Sequence, residues 1–155
     1  MLKEVTLLNK LIQKRLTLAI AESCTGGLLS NRITNISGSS HAFLLGIVTY
    51  SNDSKTRILK IPKKIIVTHG AVSEEVVKRM ALNIRKIAQA SISVGITGIA
   101  GPHGGTKTKP AGTVFIAVSS KKKVLVKKSL FRGSRLQVKR KATDKAIKML
   151  LEALR

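Results

Sequence analysis

Three apolar runs in this chain break off in the same way. "LTLAIAES" from Leu16 gives way to Cys24, Thr25 and the adjacent Gly26 and Gly27; "FLLGIVTYS" from Phe43 stops at Asn52; "ASISVGITG" from Ala90 stops at Gly98, with Gly101 close behind. Each run has the length of a strand buried on both faces, and each is followed by small or turn-forming residues. If the three strands are parallel neighbours, their exits converge on one edge of the sheet, which is where open α/β sheets bind ligands.

The segments between these runs carry a different period. Leu2, Val5, Leu8, Leu11 and Ile12 predict an amphipathic helix over 3–15 leading into a first strand at 16–22. Ser23 or Thr25 can cap a helix over about 25–35, and the second strand ends near Tyr50. "SNDSKTRILKIP" reads as a short capped helix and Pro62 as the start of another helical turn. "SEEVVKRMALNIRKIAQ" opens on a serine cap and two acids that suit a helix N-terminus, and its stripe of Val76, Val77, Met80, Ile84 and Ile87 is expected to pack on a sheet. "GTVFIAVSS" and "VLVKKSLF" form a hairpin around "KKK", and a helix over 135–154 closes the chain. Five strands interleaved with at least four helices predict an α/β fold, a three-layer α/β/α sandwich with a mixed, mostly parallel five-stranded sheet, as a single domain over 1–155. "GGTKTKPAG" at 104–112, directly after a strand exit, is a candidate lid.

Twenty-nine Lys and Arg against seven Asp and Glu give +22, enough to attract polyanions or to raise the potential around a site for an anionic substrate. Aromatic residues are only 3% of the chain, with no Trp and one Tyr, so the stacking side chains of single-stranded nucleic-acid readers are nearly absent. The lysines are spread over the helices as well as gathered in "SSKKKVLVKK". A solvated basic surface is therefore the preferred reading over a nucleic-acid partner, and specific nucleic-acid recognition is not expected. The single cysteine, Cys24, has no internal disulfide partner, and the three dispersed histidines lack metal-ligand spacing. No metal or cofactor is expected. The N-terminal segment carries charges throughout and holds no apolar run suited to a signal peptide or membrane span, so a cytoplasmic protein with no membrane partner is expected.

The first exit has a chemistry of its own. Backbone N–H groups at a helix start, near Thr25, Gly26 and Gly27, can hold a phosphate or a developing oxyanion, because they lack intrahelical partners and glycine lets a ligand approach. Ser23 needs a base to act as a nucleophile, and no histidine is expected at any of the three exits. Lys55, about one helical turn past Tyr50, can take that part, since a lysine in a dry, cationic site loses its proton more easily. Ser23, Tyr50 and Lys55 thus form a workable acyl-transfer set. Two plainer readings stand beside it: "SCTGG" as a helix cap with a tight turn, and Tyr50 with Lys55 as a packed ring beside a solvated amine. Cys24 is either a further nucleophile or a small buried residue.

Six ordered blocks, "AESCTGG", "GSSHAFLLGIVTYSNDSK", "HGAVSEEV", "GITGIAGPHGG", "KPAGTVFIAV" and "FRGSR", resemble the CinA C-terminal domain family, the nicotinamide mononucleotide deamidases, from about Leu2 to Leu154. The resemblance implies hydrolysis of the carboxamide of nicotinamide mononucleotide to nicotinic acid mononucleotide and ammonia, without metal or cofactor. It implies Ser23, Tyr50 and Lys55 as the catalytic group, and Thr97, Gly98 and Arg135 as substrate-binding residues. The Thr97–Gly101 loop and Arg135 are then expected to hold ribose and phosphate, the arginine through its forked donors. A homo-oligomer, dimer or higher, is expected as well. Many relatives carry this domain behind a second, N-terminal one, for which 155 residues leave no room, so activity belonging to that domain is not expected. The family's glycine-rich loop often carries acids where this chain has "GGTKTKP", which bears on substrate preference.

Two rival functions follow from the same residues. A non-catalytic nucleotide-binding module would use the pocket but would not need Ser23, Tyr50 and Lys55 together. A basic nucleic-acid-associated protein would bind through charge alone. Any DNA binding is expected to be sequence-blind and micromolar or weaker near physiological salt, falling steeply as salt rises, because each lysine contact releases a counterion. Affinities measured across a salt series check this; a nanomolar affinity that survives about 0.2 M salt, or that prefers one sequence, would contradict it.

Overall fold

The computed structural model describes residues 2–155; Met1, the first residue of the expected domain, lies outside the described residues. The five strands are β1 (Leu18–Glu22), β2 (Phe43–Val48), β3 (Ile92–Gly98), β4 (Thr113–Ser120) and β5 (Val124–Leu130), arranged in the sheet order β2-β1-β3-β4-β5. β1 pairs parallel with β2 and with β3, while β4 pairs antiparallel with β3 and with β5. Only β4 therefore runs against the other strands, and the sheet is mixed and mostly parallel. β1 is buried throughout and β3 and β4 nearly so, as strands covered on both faces must be; the edge strand β2 alternates.

The helices cover the two faces of the sheet. α1 (Lys3–Gln13), α2 (Leu28–Thr34) and α6 (Arg135–Ala153) share one core with the sheet, in which Leu7, Leu11, Leu29, Ile33, Ile147 and Leu150 meet Leu18, Ile20 and Val94. α4 (Lys63–His69) and α5 (Glu74–Ala88) cover the other face, where Ile66, Val76, Met80 and Ile84 meet Ala19 and Ala21. α3 (Asn52–Arg57) precedes α4, capped by Ser51, whose hydroxyl accepts from the Ser54 N–H. Of the stripe expected on α5, Ile87 alone points away, 49% exposed. Gly95 lets this layer close on β3: a Cβ there would lie 2.9 Å from the Ala81 nitrogen and 3.0 Å from Met80 Cβ.

Of the boundaries that differ from the sequence expectation, two have a clear local reason. The first strand starts at Leu18 because Leu16 N–H still closes the end of α1 on the Leu11 carbonyl, and Thr17 pairs with Ser91. α2 starts at Leu28 because the preceding turn holds Gly26 at φ 59° and Gly27 at φ 93°, left-handed values that glycine adopts without strain. Neither Ser23 nor Thr25 caps this helix. The cap is Glu22, the last residue of β1, fully buried: its carboxylate accepts the Leu29 N–H at 2.9 Å, the Ser30 N–H at 3.0 Å and the Ser30 hydroxyl at 2.8 Å. A carboxylate is well placed there, since it meets both the unpartnered N–H groups and the positive end of the helix.

Glu22→Ala is expected to destabilise the protein by about 2–3 kcal/mol, the range for charge-assisted bonds lost from a buried helix start, and Glu22→Gln by less. Urea unfolding with unchanged m-value checks it; an alanine variant as stable as the parent would mean that the carboxylate does not hold the helix.

Candidate active site at the carboxyl edge of the sheet

The order β2-β1-β3 places the three strand exits side by side. Between β1 and β3 the chain order reverses, the position at which open α/β sheets form a crevice. Because β4 starts and β5 ends at this same edge, with Thr113 opposite Leu130, α6 also begins here and delivers Arg135. A cavity of about 280 Å³ opens at this edge, lined by Ser23, Cys24, Tyr50, Lys55, His103 and Arg135 among others.

Lys55 is its centre. The side chain is 1% exposed, and its Nζ lies 3.0 Å from Ser23 Oγ, 2.8 Å from the Thr49 carbonyl and 3.2 Å from the Tyr50 carbonyl. Among the described residues no carboxylate pairs with it. Burial therefore holds its pKa below the ordinary lysine value of 10.5, with the nearby Cys24 thiol acting in the opposite direction. A neutral amine has two N–H bonds and one lone pair. The two backbone carbonyls can accept the N–H bonds, which leaves the lone pair for the Ser23 hydroxyl proton. Ser23 is itself fixed: its N–H donates to Ile96 O at 3.0 Å and its side chain is almost fully buried.

The remaining expected residues take other places. Tyr50 is 57% exposed, and its phenol accepts from Arg135 Nη2 at 2.8 Å; only its backbone carbonyl meets Lys55. Arg135 Nη1 donates to the Gly101 carbonyl at 2.8 Å, so this arginine bridges two exits. Thr97, Gly98 and Gly101 line the cavity, the Thr97 hydroxyl donating to Ala71 O at 3.0 Å. Gly98 is held against β4, where a Cβ would lie 2.8 Å from the Thr113 carbonyl. Thr25, Gly26 and Gly27 do not line it: Thr25 is fully buried, and the Gly26 N–H is donated to Ser23 O at 3.0 Å. The anion at the start of α2 is Glu22's own carboxylate. Cys24 does line the cavity, but burial pushes its thiol up to about 11, so it is almost entirely protonated near neutral pH. The 104–112 segment is tied at Lys109, whose Nζ donates to the His69 and Val72 carbonyls.

Sequence reasoning missed three participants. His103, on the loop after β3, lines the cavity, contrary to the expectation of no histidine at a strand exit; its place in "GPHGG" was the available signal. The carbonyls of Thr49 and Tyr50 left none, because backbone acceptors carry no residue signature.

The arrangement is thus a three-layer α/β domain with a buried serine–lysine pair at its crevice. Residues 2–154 match the CinA C-terminal domain, and the chain belongs to that family. The CinA-like protein of Chlorobaculum tepidum is 45% identical over 157 residues, covering 98% of this chain and 37% of the relative. The CinA-like protein of Geobacter sp. (strain M21) is 50% identical over 124 residues, 80% of this chain and 30% of the relative. The chain therefore spans about a third of the length of the curated relatives it matches. Among solved structures, the competence or damage-inducible protein from Enterobacter asburiae has a TM-score of 0.95 at 38% identity, covering 99% of this chain and 96% of that one. The CinA superfamily protein from Escherichia coli has a TM-score of 0.94 at 33% identity, covering 97% and 88%. No helix among the described residues is long and apolar enough to cross a membrane.

The lowered pKa of Lys55 makes a prediction about stability. Between the lowered folded value and 10.5 the unfolded chain binds a proton at Lys55 that the folded chain does not, so stability rises with pH across that window and is flat below it. The unfolding free energy of the parent minus that of Lys55→Met should therefore climb as pH approaches 10.5. Denaturant melts at several pH values measure it, and a difference independent of pH would place the ordinary lysine value in the folded state.

Proposed function

We propose that this domain is a serine amidohydrolase that removes the carboxamide nitrogen of nicotinamide mononucleotide. The observation that carries this reading is the 3.0 Å contact between the Lys55 amine and Ser23 Oγ, both buried, with no carboxylate beside the amine among the described residues. A site that only binds has no need to keep a desolvated amine on a hydroxyl. The substrate class comes from the family resemblance carried by "ESCTGG", "TYSNDSK" and "GITGIAGPHGG".

In the first half-reaction Ser23 Oγ attacks the carboxamide carbon while Lys55 Nζ takes the hydroxyl proton. The resulting ammonium lies next to the developing oxyanion and stabilises its charge from a buried position. Collapse breaks the C–N bond, Lys55 returns the proton to the departing nitrogen as ammonia leaves, and an ester on Ser23 remains. Water then attacks that ester, giving its proton to Lys55, and release of the carboxylic acid restores the serine hydroxyl. Tyr50 serves through its two ends: its carbonyl orients the lysine, and its phenol holds Arg135 toward the substrate.

The test is ammonia release from nicotinamide mononucleotide by the purified protein. Ser23→Ala is expected to abolish turnover, Cys24→Ala to retain most of it, and Lys55→Arg to cost at least about 100-fold, because arginine keeps its proton and general-base assistance is typically worth 10²–10⁴. Near-normal turnover by Lys55→Arg would remove the amine from proton transfer, and a dead Cys24→Ala beside an active Ser23→Ala would reverse the nucleophiles.

A further inference from the structure

A second, larger cavity of about 530 Å³ adjoins the first, sharing Ala100, Gly101 and Arg135 with it. Its walls come from the loop after β3 and from the segment joining β5 to α6, and include Pro102, Pro110, Phe131 and Arg132. These walls are set by backbone contacts: Phe131 N–H donates to Gly112 O at 2.9 Å, and Gly112 N–H donates to Ile99 O at 2.6 Å. Gly112, at φ 94°, is required there, since a Cβ would collide with the Phe131 carbonyl. The smaller cavity, at about 280 Å³, lies just under the common size range of ligand pockets, roughly 300–1,000 Å³, whereas the pair together falls within it.

The two arginines lining the larger cavity differ in what they have left to offer. Arg135 is committed to the Gly101 carbonyl and the Tyr50 phenol. Arg132 donates to no acceptor and pairs with no acid among the described residues, so its whole guanidinium fork faces solvent and cavity. The Arg132 carbonyl accepts from Lys141 Nζ, which brings a further cation close, and no Asp or Glu lines either cavity. An apolar wall with an unspent guanidinium on its rim suits a sugar phosphate, the carbon skeleton lying on the wall and the phosphate taken bidentately.

We propose that the larger cavity is the phosphate subsite of the candidate active site and that Arg132 determines preference for a phosphorylated nucleotide over the corresponding nucleoside. The inference rests on the amidase reading for its substrate, but the subsite can be tested without turnover. Arg135 then acts as the divider between the two cavities, positioned by Tyr50.

Binding of ribose 5-phosphate, and of ribose as its uncharged counterpart, is measured by calorimetry on the parent, Arg132→Ala, Arg132→Lys and Arg140→Ala. Arg140 is an exposed arginine outside both cavities and controls for the loss of one positive charge. Arg132→Ala is expected to weaken ribose 5-phosphate about 10- to 100-fold, the range for a lost charge-assisted pair, with Arg132→Lys intermediate and Arg140→Ala near the parent. In parallel, Arg132→Ala should raise KM for nicotinamide mononucleotide by a similar factor and narrow the preference for it over nicotinamide riboside to the same extent. Equal losses in Arg132→Ala and Arg140→Ala, no loss in either, or a matching loss for the nucleoside would each overturn the subsite. Arg132-dependent binding without ammonia release would uphold the subsite and overturn the amidase reading instead.

Discussion

The position of Ser23 depends on a carboxylate that does not line the cavity beside it. Glu22 ends β1 inside the protein, and a buried charge there is tolerable only because the first turn of α2 answers it with two N–H groups and a hydroxyl. That exchange fixes the chain from residue 22 to residue 30. The two glycines then have one path, a tight left-handed turn, and Ser23 has one direction, into the crevice between β1 and β3. A helix start following a strand is usually free to hold an external anion, but here it is already occupied. The arginines that line the neighbouring cavities, Arg132 and Arg135, arrive from the other end of the chain.

Lys55 presents the opposite arrangement, a buried cation without a counterion. Its ammonium form loses hydration and gains only carbonyl and hydroxyl contacts, so its pKa falls below the ordinary lysine value. Thirty-two residues separate it from Ser23, and the parallel pairing of β1 with β2 brings them together: Glu22 lies opposite Val48, and Thr49 N–H donates to Glu22 O at 2.9 Å. The carbonyl of that same Thr49 then meets the amine. Sheet register and proton affinity are therefore linked, since a slip of one residue in β2 would turn the accepting carbonyls away.

This linkage also separates what was legible in the sequence from what was not. Apolar runs ending in small residues gave the strands, their exits and the α/β layering, because burial on both faces leaves a compositional mark. Ser23 and Lys55 were legible as types of residue in convergent segments, and the structure brings them into contact. The cap of α2 was not, because a serine and a threonine at the usual positions outweighed a glutamate that had to bend back from a strand end. Ile87 fits the helical stripe by spacing, but near the end of α5 it is left exposed while Val76, Val77, Met80 and Ile84 are buried. The orientation of Tyr50 was equally hidden: its partner, Arg135, is 85 residues away and reaches it only because β4 and β5 return the chain to the same edge.

The basic surface bears on the same chemistry. Of twenty-nine Lys and Arg, only Arg32 and Arg57 form ion pairs with acids among the described residues, and Arg57 does so at the open surface, where such a pair contributes little. Most of the positive charge is thus unneutralised by the protein itself. Exposed cations more than about 8–10 Å apart are screened by physiological salt, which is why the fold tolerates them. Inside the crevice the screening is weaker, and the positive field there favours an anion beside Arg132 and Arg135. The proton affinity of Lys55, by contrast, is lowered by its burial. An amine of lowered proton affinity and an arginine-lined cavity therefore share one edge of the sheet, the first set by burial and the second by charge.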